Sequence, residues 1–224
     1  MRGGIRAGVA VLLGLFAIGC EAPAAAPRTQ AAPAPQGGLF RPEALGLLED
    51  PDREEWQQPD RVMDELRIAD GSRVADVGAG GGWFTTRLAR RVGPNGAVYA
   101  EDVQPQMIES IRQRARQEGL TNVTPILSAT NDPQLPPNLD AVLLVDAYGQ
   151  LAHPIDVLRH IRGSLAANGR LGIVDFKPGG AGGPGPPPEY RVDPERIRRD
   201  AASVGLVLRN ETSLQYQYVL ILGR

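Results

Sequence analysis

From about residue 58 onward, short apolar runs alternate with segments whose apolar residues recur every three or four positions. The runs read as strands buried on both faces and the periodic segments as amphipathic helices packed over them. A helix from about Pro59 to Arg67 leads into a strand at Arg73 to Val77. Gly82 to Val92 is the first crossover helix, stopped by Gly93-Pro94-Asn95-Gly96. A second strand, Ala97 to Asp102, precedes a helix from Gln104 to Glu118 that keeps Met107, Ile108 and Ile111 on one side. Val123 to Ser128 and the nearly continuous apolar run Asp140 to Val145 give the third and fourth strands. Pro154 to Ala167 reads as a helix ended by Asn168-Gly169, and Arg170 to Phe176 as the fifth strand. Pro178 to Pro188 is too rich in glycine and proline for regular structure. Asp193 caps a last helix reaching about Val204, and Leu206 to Arg209 with Tyr216 to Leu222 form a terminal hairpin. The order predicts an α/β, Rossmann-like, doubly wound sheet of seven strands, mostly parallel with an antiparallel terminal strand.

The step from the first strand to the first crossover helix carries the candidate chemistry. Asp76-Val77-Gly78-Ala79-Gly80-Gly81-Gly82 is a glycine-rich turn at the carboxyl edge, where ligands of open α/β sheets collect. A dinucleotide loop places glycines at positions one, three and six, and counting from Gly78 the sixth is Trp83. An indole there occupies the place of a pyrophosphate, so NAD is disfavoured; a Walker loop is absent because no Gly-Lys-Ser/Thr follows. An uncharged nucleoside remains. Its ribose calls for a carboxylate about 20 residues beyond the glycines. Asp102 meets that spacing, with Glu101 as competitor and Val103-Gln104-Pro105 as the turn that favours the strand-end residue.

Composition narrows the partners. Net charge is −2, which argues against a surface built to neutralise phosphates, so no nucleic-acid partner is expected. Cys20 is the only cysteine, which excludes internal disulfides and cysteine metal clusters, and no metal is expected.

The first 20 residues read as a targeting segment. Arg2 and Arg6 precede an apolar stretch, Ala7 to Gly19, too short to span a bilayer comfortably, and Ala17-Ile18-Gly19-Cys20 follows. That ending resembles a bacterial lipobox, which makes Cys20 the expected lipidation site; a cleaved secretory signal with an incidental cysteine is the alternative. Residues 21–40, rich in alanine and proline, read as a tether reaching roughly 50 Å at about 3.1 Å per residue. The domain then occupies residues 41–224. The expected location is the bacterial envelope, as an exported, membrane-anchored lipoprotein, or a secreted or periplasmic soluble protein in the alternative.

The acidic-x-Gly-x-Gly-x-Gly pattern at Asp76 to Gly82 resembles motif I of the class I S-adenosylmethionine methyltransferases. With Asp102, Leu143-Leu144-Val145-Asp146 and Gly169-Arg170-Leu171 in order, the resemblance runs from about residue 55 to 222. In more detail it resembles a bacterial subgroup of predicted methyltransferases, through Trp56 to Asp60, Asp102 to Pro105, Asp146 with Tyr148, and Asp175 to Pro178. The chain differs from that subgroup in following Tyr148 with Gly149-Gln150 where histidines are usual.

The resemblance implies S-adenosylmethionine as cofactor and a small-molecule or lipid-like methyl acceptor. By position, Asp76 would orient the loop and the methionine amino group, while Gly78, Ala79, Gly80 and Gly82 would admit the cofactor to the backbone. Asp102 would take the ribose hydroxyls beside Val103, Ala129 to Asn131 would border the adenine, and Asp146 would lie near the methionine end. A helix N-cap is the competing role for Asp146. Asp146, Tyr148 and Asp175 are the candidates for a base, with none selected by spacing. Trp56 reads as an anchor of the N-terminal helix, and His153 and His160 as structural or surface residues. Export would part the domain from the expected source of its cofactor, which gives a second reading: a membrane-tethered nucleoside-binding module without turnover.

Overall fold

The computed structural model describes residues 51–179 and 183–224. Its elements run α1 (Arg53–Gln57), α2 (Pro59–Glu65), β1 (Arg73–Val77), α3 (Trp83–Val92), β2 (Ala97–Asp102), α4 (Pro105–Gln117), β3 (Val123–Leu127) and β4 (Leu139–Val145), followed by α5 (Pro154–Ser164), β5 (Leu165–Phe176), α6 (Pro194–Ser203), β6 (Val207–Ser213) and β7 (Gln217–Gly223). The signal and lipidation site expected over residues 1–20, Cys20 included, and the tether at 21–40 lie outside the described residues. Among those residues no helix is long and apolar enough to cross a membrane.

The seven strands form one sheet in the order β3-β2-β1-β4-β5-β7-β6. Pairings from β3 through β5 are parallel, and β7 runs antiparallel to both its neighbours, as the sequence pattern predicts. Alternation along the strands divides the core between two faces. Ala75, Val77, Val142 and Leu144 pack with Leu158 and Ile161 of α5 and Ile197 and Ala201 of α6. Val74 and Leu143 face the other way, onto Val62 and Met63 of α2 and Phe84, Leu88 and Val92 of α3. The reversal of strand order lies between β1 and β4, so the glycine turn after β1 opens at the crevice that such a reversal creates.

Three boundaries differ from expectation for identifiable reasons. The N-terminal segment is two helices, because Gln58 adopts a left-handed conformation (φ 50°) immediately before Pro59. The helix expected to reach Ala167 ends at Ser164, and β5 begins at Leu165, which pairs with Leu139 before the ladder skips to Ala141 opposite Arg170. Residues 166–169 form the irregularity, and their polar Asn-Gly end reads locally as a helix stop. Strand β6 extends to Ser213 although Arg209 to Glu211 give no apolar signal, since it is an edge strand with an exposed side. It is held instead by Asn210 and Thr212, whose side chains donate to the Glu65 carboxylate at 2.8 Å each.

Candidate active site

A cavity of about 320 Å³ opens at the carboxyl ends of β1, β2 and β4. Its floor is the glycine turn. Gly78 has φ 69°, and a Cβ there would stand 2.7 Å from the Ala147 Cβ, so only glycine lets the backbone lie flat against the β4 loop. Two consecutive carboxylates at the end of β2 then tie down the turn. The Gly78 amide donates to Glu101 Oε2 at 3.2 Å, and the Gly80 amide donates to Asp102 Oδ2 at 3.0 Å. Asp102 Oδ1 also accepts from the Gln104 amide at 2.9 Å, and the Ser128 hydroxyl donates to Glu101 Oε1. Glu101 and Asp102 both line the cavity, and the alternation of β2 aims them at different amides of the turn.

Burial shifts these acids. Glu101 is pushed up to about 7 by desolvation, against the pull of the Ser128 hydroxyl and the Gly78 amide. Asp76, whose Oδ2 accepts from the Thr85 hydroxyl at 2.7 Å, is pushed up to about 6 for the same first reason. Asp102 rises too, restrained by the amides it accepts from.

The β4 side of the cavity is assembled from distant pieces. Asp146 lies in the left-handed region (φ 55°), and its carboxylate accepts from Gln217 Nε2 at 2.6 Å and Gln57 Nε2 at 3.5 Å. Gln57 Nε2 also donates to Gln217 Oε1 at 2.9 Å, and Gln57 Oε1 accepts from Arg53 Nε at 2.6 Å. Both glutamines are 0% exposed, and the bonds from Arg53 to Gln57 and from Gln57 to Gln217 are made away from bulk water, where an unmade one is costly. Arg53 reaches the cavity from α1 with its guanidinium 4.2 Å over the Trp83 ring. Desolvation raises Asp146 above the ordinary aspartate range, with Arg53 and the two glutamines acting against it.

The sequence candidates separate accordingly. Asp76, Gly78, Ala79, Gly80, Asp102, Val103 and Asp146 all line the cavity. Gly82 does not; it caps α3, and a Cβ on it would press on Ile111 Cγ1 at 3.2 Å, which makes it a contact between α3 and α4. Ala129 and Thr130 line the cavity and Asn131 is exposed outside that lining. Asp146 is no helix cap, since α5 begins at Pro154 after His153. Of the three base candidates only Asp146 faces the cavity. The Tyr148 hydroxyl donates instead to Asp200 Oδ2 at 2.8 Å, and Asp175 is buried beyond the lining, where desolvation and then Asp146 hold its carboxyl well above the usual range.

Trp56 is an anchor as expected, 5.8 Å from Phe176 and 6.1 Å from Tyr216 between ring centres. His153 and His160 are exposed. Arg53, Gln57 and Gln217 were not marked by the sequence, and only their nearness to Trp56 and Tyr216 hints at a role.

Residues 68–207 match the methyltransferase domain family. The chain is similar to the aklanonic acid methyltransferase of Streptomyces sp. (strain C5), with 32% identity over 108 residues that make up 45% of this chain and 49% of that one. It is also similar to the ubiquinone/menaquinone biosynthesis C-methyltransferase of Ectopseudomonas mendocina (strain ymp), with 31% identity over 115 residues, 50% of this chain and 45% of that one. The chain thus spans about half the length of the curated relatives it matches. Among solved structures, a SAM-dependent methyltransferase from Aquifex aeolicus superposes over 82% of this chain and 98% of its own, with TM-score 0.77 and 28% identity.

Proposed function

The chain belongs to the methyltransferase domain family, and we propose that it transfers the methyl group of S-adenosylmethionine to a small, largely apolar acceptor. The observation that carries this reading is the pair of β2 carboxylates on a glycine turn that admits no side chain at Gly78. Such a floor suits a nucleoside. The backbone comes close to an uncharged base and sugar, and Asp102 offers a charged acceptor for ribose hydroxyls. When bound, the sulfonium supplies the activated methyl: the S–CH3 bond breaks, its electron pair returns to sulfur, and the acceptor–CH3 bond forms.

This chain's residues supply alignment and exclusion of water more than covalent chemistry. Trp83 and Phe84 wall the cavity near α3, and Leu151, Ala152 and Val157 wall it beyond β4. That apolar side supports an acceptor with a flat or hydrocarbon body. The printed names of the two relatives, one acting on aklanonic acid and one in quinone biosynthesis, support the same class. Of the three base candidates, Asp146 is the one that lines the cavity, which supports it over Tyr148 and Asp175 where the acceptor must lose a proton.

The reading extends to location. The apolar stretch before Cys20 supports an exported chain with a lipid on Cys20, a tether over residues 21–40 and a domain from 41 to 224. Purified full-length chain incubated with methyl-labelled S-adenosylmethionine and phenolic or quinol acceptors is expected to move label into the organic phase. Micromolar cofactor binding with no labelled product from these acceptors or from any cell extract sinks the enzyme reading and leaves a binding module. Fractionation with labelled fatty acid checks Cys20 in the same cells; label absent from the protein removes the anchor.

A further inference from the structure

Ser128 has one hydroxyl proton and two acceptors within reach. Its Oγ lies against Glu101 Oε1 on one side and 3.3 Å from the Ala129 carbonyl oxygen on the other. A hydroxyl donates its single proton to one acceptor at a time, so the choice depends on Glu101. The ionised carboxylate has no proton to give: Oε1 accepts from the hydroxyl while Oε2 accepts from the Gly78 amide at 3.2 Å. A proton taken from water onto Oε1 reverses the first bond. Glu101 then donates to Ser128 Oγ, and the hydroxyl turns to the Ala129 carbonyl. That carbonyl already accepts from the Asp132 amide at 3.3 Å, so in this state both its lone pairs are engaged.

The pair sits where the choice matters. Glu101 is buried and lines the cavity with Ala129 and Thr130, and its side chain joins the turn after β1 to the loop after β3. Among the charged groups around it, Asp76 of β1 and Asp102 of its own strand oppose its ionisation, while Asp146 and Arg53 line the cavity from β4 and α1. Ile126 lies opposite it on β3, and Phe84 of α3 and Met107 of α4 line the cavity, all without charge. Burial pushes the Glu101 carboxyl up to about 7, above Asp76 and Asp146 at about 6.

We propose that Glu101 is a positioning residue for the base of the bound nucleoside, acting through Ser128: the ionised form keeps the hydroxyl off the Ala129 carbonyl and leaves that carbonyl a lone pair for an amino-bearing base. The assignment rests on the nucleoside reading above. Affinity for such a nucleoside rises with pH as Glu101 loses its proton, because the ligand favours the ionised form.

Calorimetric titration of the full chain with 5′-methylthioadenosine, an uncharged nucleoside, between about pH 6.5 and about pH 8.5 tests the assignment. Wild-type affinity is expected to rise about two- to threefold across that range. Glu101→Gln presents an amide that donates to Ser128 as the protonated acid does, and is expected to bind about 3- to 10-fold more weakly than wild type at the upper end, with no rise. Ser128→Ala has no hydroxyl to turn and is expected to show one affinity throughout, above that of Glu101→Gln. Ser128→Thr recovers the pH dependence. A wild-type affinity that is flat or falls with pH overturns the proposal. So does a Ser128→Ala profile that rises as wild type does, since the charge on Glu101 would then act without the hydroxyl. Equal losses in Glu101→Gln and Ser128→Ala at every pH also overturn it, because they mark a bond that only supports the fold. A wild-type chain that binds neither 5′-methylthioadenosine nor S-adenosylmethionine at any pH removes the nucleoside reading itself, and this assignment with it.

Discussion

The two halves of the cavity are built in opposite ways. The β2 half comes mostly from one stretch of chain, Gly78 to Gln104, with Ser128 added after β3, and three of its bonds run from backbone amides to two carboxylates. The β4 half joins Arg53, Gln57, Asp146 and Gln217 through side chains separated by as many as 160 positions. The floor is set by backbone amides and the network by side chains, so substitutions in the two halves are expected to act separately on affinity for a nucleoside and for what is attached to it.

The sharpest way to break this division is at Asp102. Asp102→Ala removes the acceptor of the Gly80 and Gln104 amides, and affinity for S-adenosylhomocysteine and for 5′-methylthioadenosine is expected to fall alike, by about 100-fold. Titration of both ligands decides; a loss confined to the tail-bearing ligand would reverse the assignment of the halves. Gln217→Leu is the counterpart. It strips a donor from Asp146 and an acceptor from Gln57 inside the protein, which costs about 2 kcal/mol of stability. S-adenosylhomocysteine should weaken by about tenfold, with methylthioadenosine unaffected; parallel losses would mean the halves act as one unit.

The smallest effect concerns pH and sits in the β2 half. Glu101, beside Asp76 and Asp102, is raised from the ordinary value of 4.5 to about 7, so folding takes up a proton between those values. Its contribution to stability is fully present below about 4.5 and is lost as pH rises through about 7. Thermal midpoints between pH 5 and pH 8 should therefore fall less steeply in Glu101→Gln than in wild type. An identical slope would show that the glycine turn does not feel this carboxylate titrate.

The same division explains what could be read in advance. Glycines and acids at fixed local spacing are visible in a sequence and mark the turn and Asp102, while the apolar runs mark the seven strands along the chain. Gln57 and Gln217 are neutral amides with no periodic partner, so nothing local marks them as buried bond-makers. Arg53 looks like any first-turn residue of a surface helix until Trp83 is brought beneath it. Asn131 failed to reach the lining because the turn after β3 closes on itself, with an isolated bridge between Ala129 and Asp132. Edge strand β6 escaped notice in part for the reason that makes it an edge, a solvent face that needs no apolar pattern.

The bond between Gln57 and Gln217 also orders events in time. At a synthesis rate of about 5–20 residues per second, roughly 10–30 s separate the two glutamines on a ribosome. Strand β7 lies between β5 and β6, so β6 has no place in the sheet until β7 has entered it. A nascent domain can thus complete its nucleoside floor while the opposite wall is still unmade. The wall closes last, so an unfinished chain carries the glycine turn and its two carboxylates without the donor that Gln217 brings to Asp146 and the acceptor it brings to Gln57.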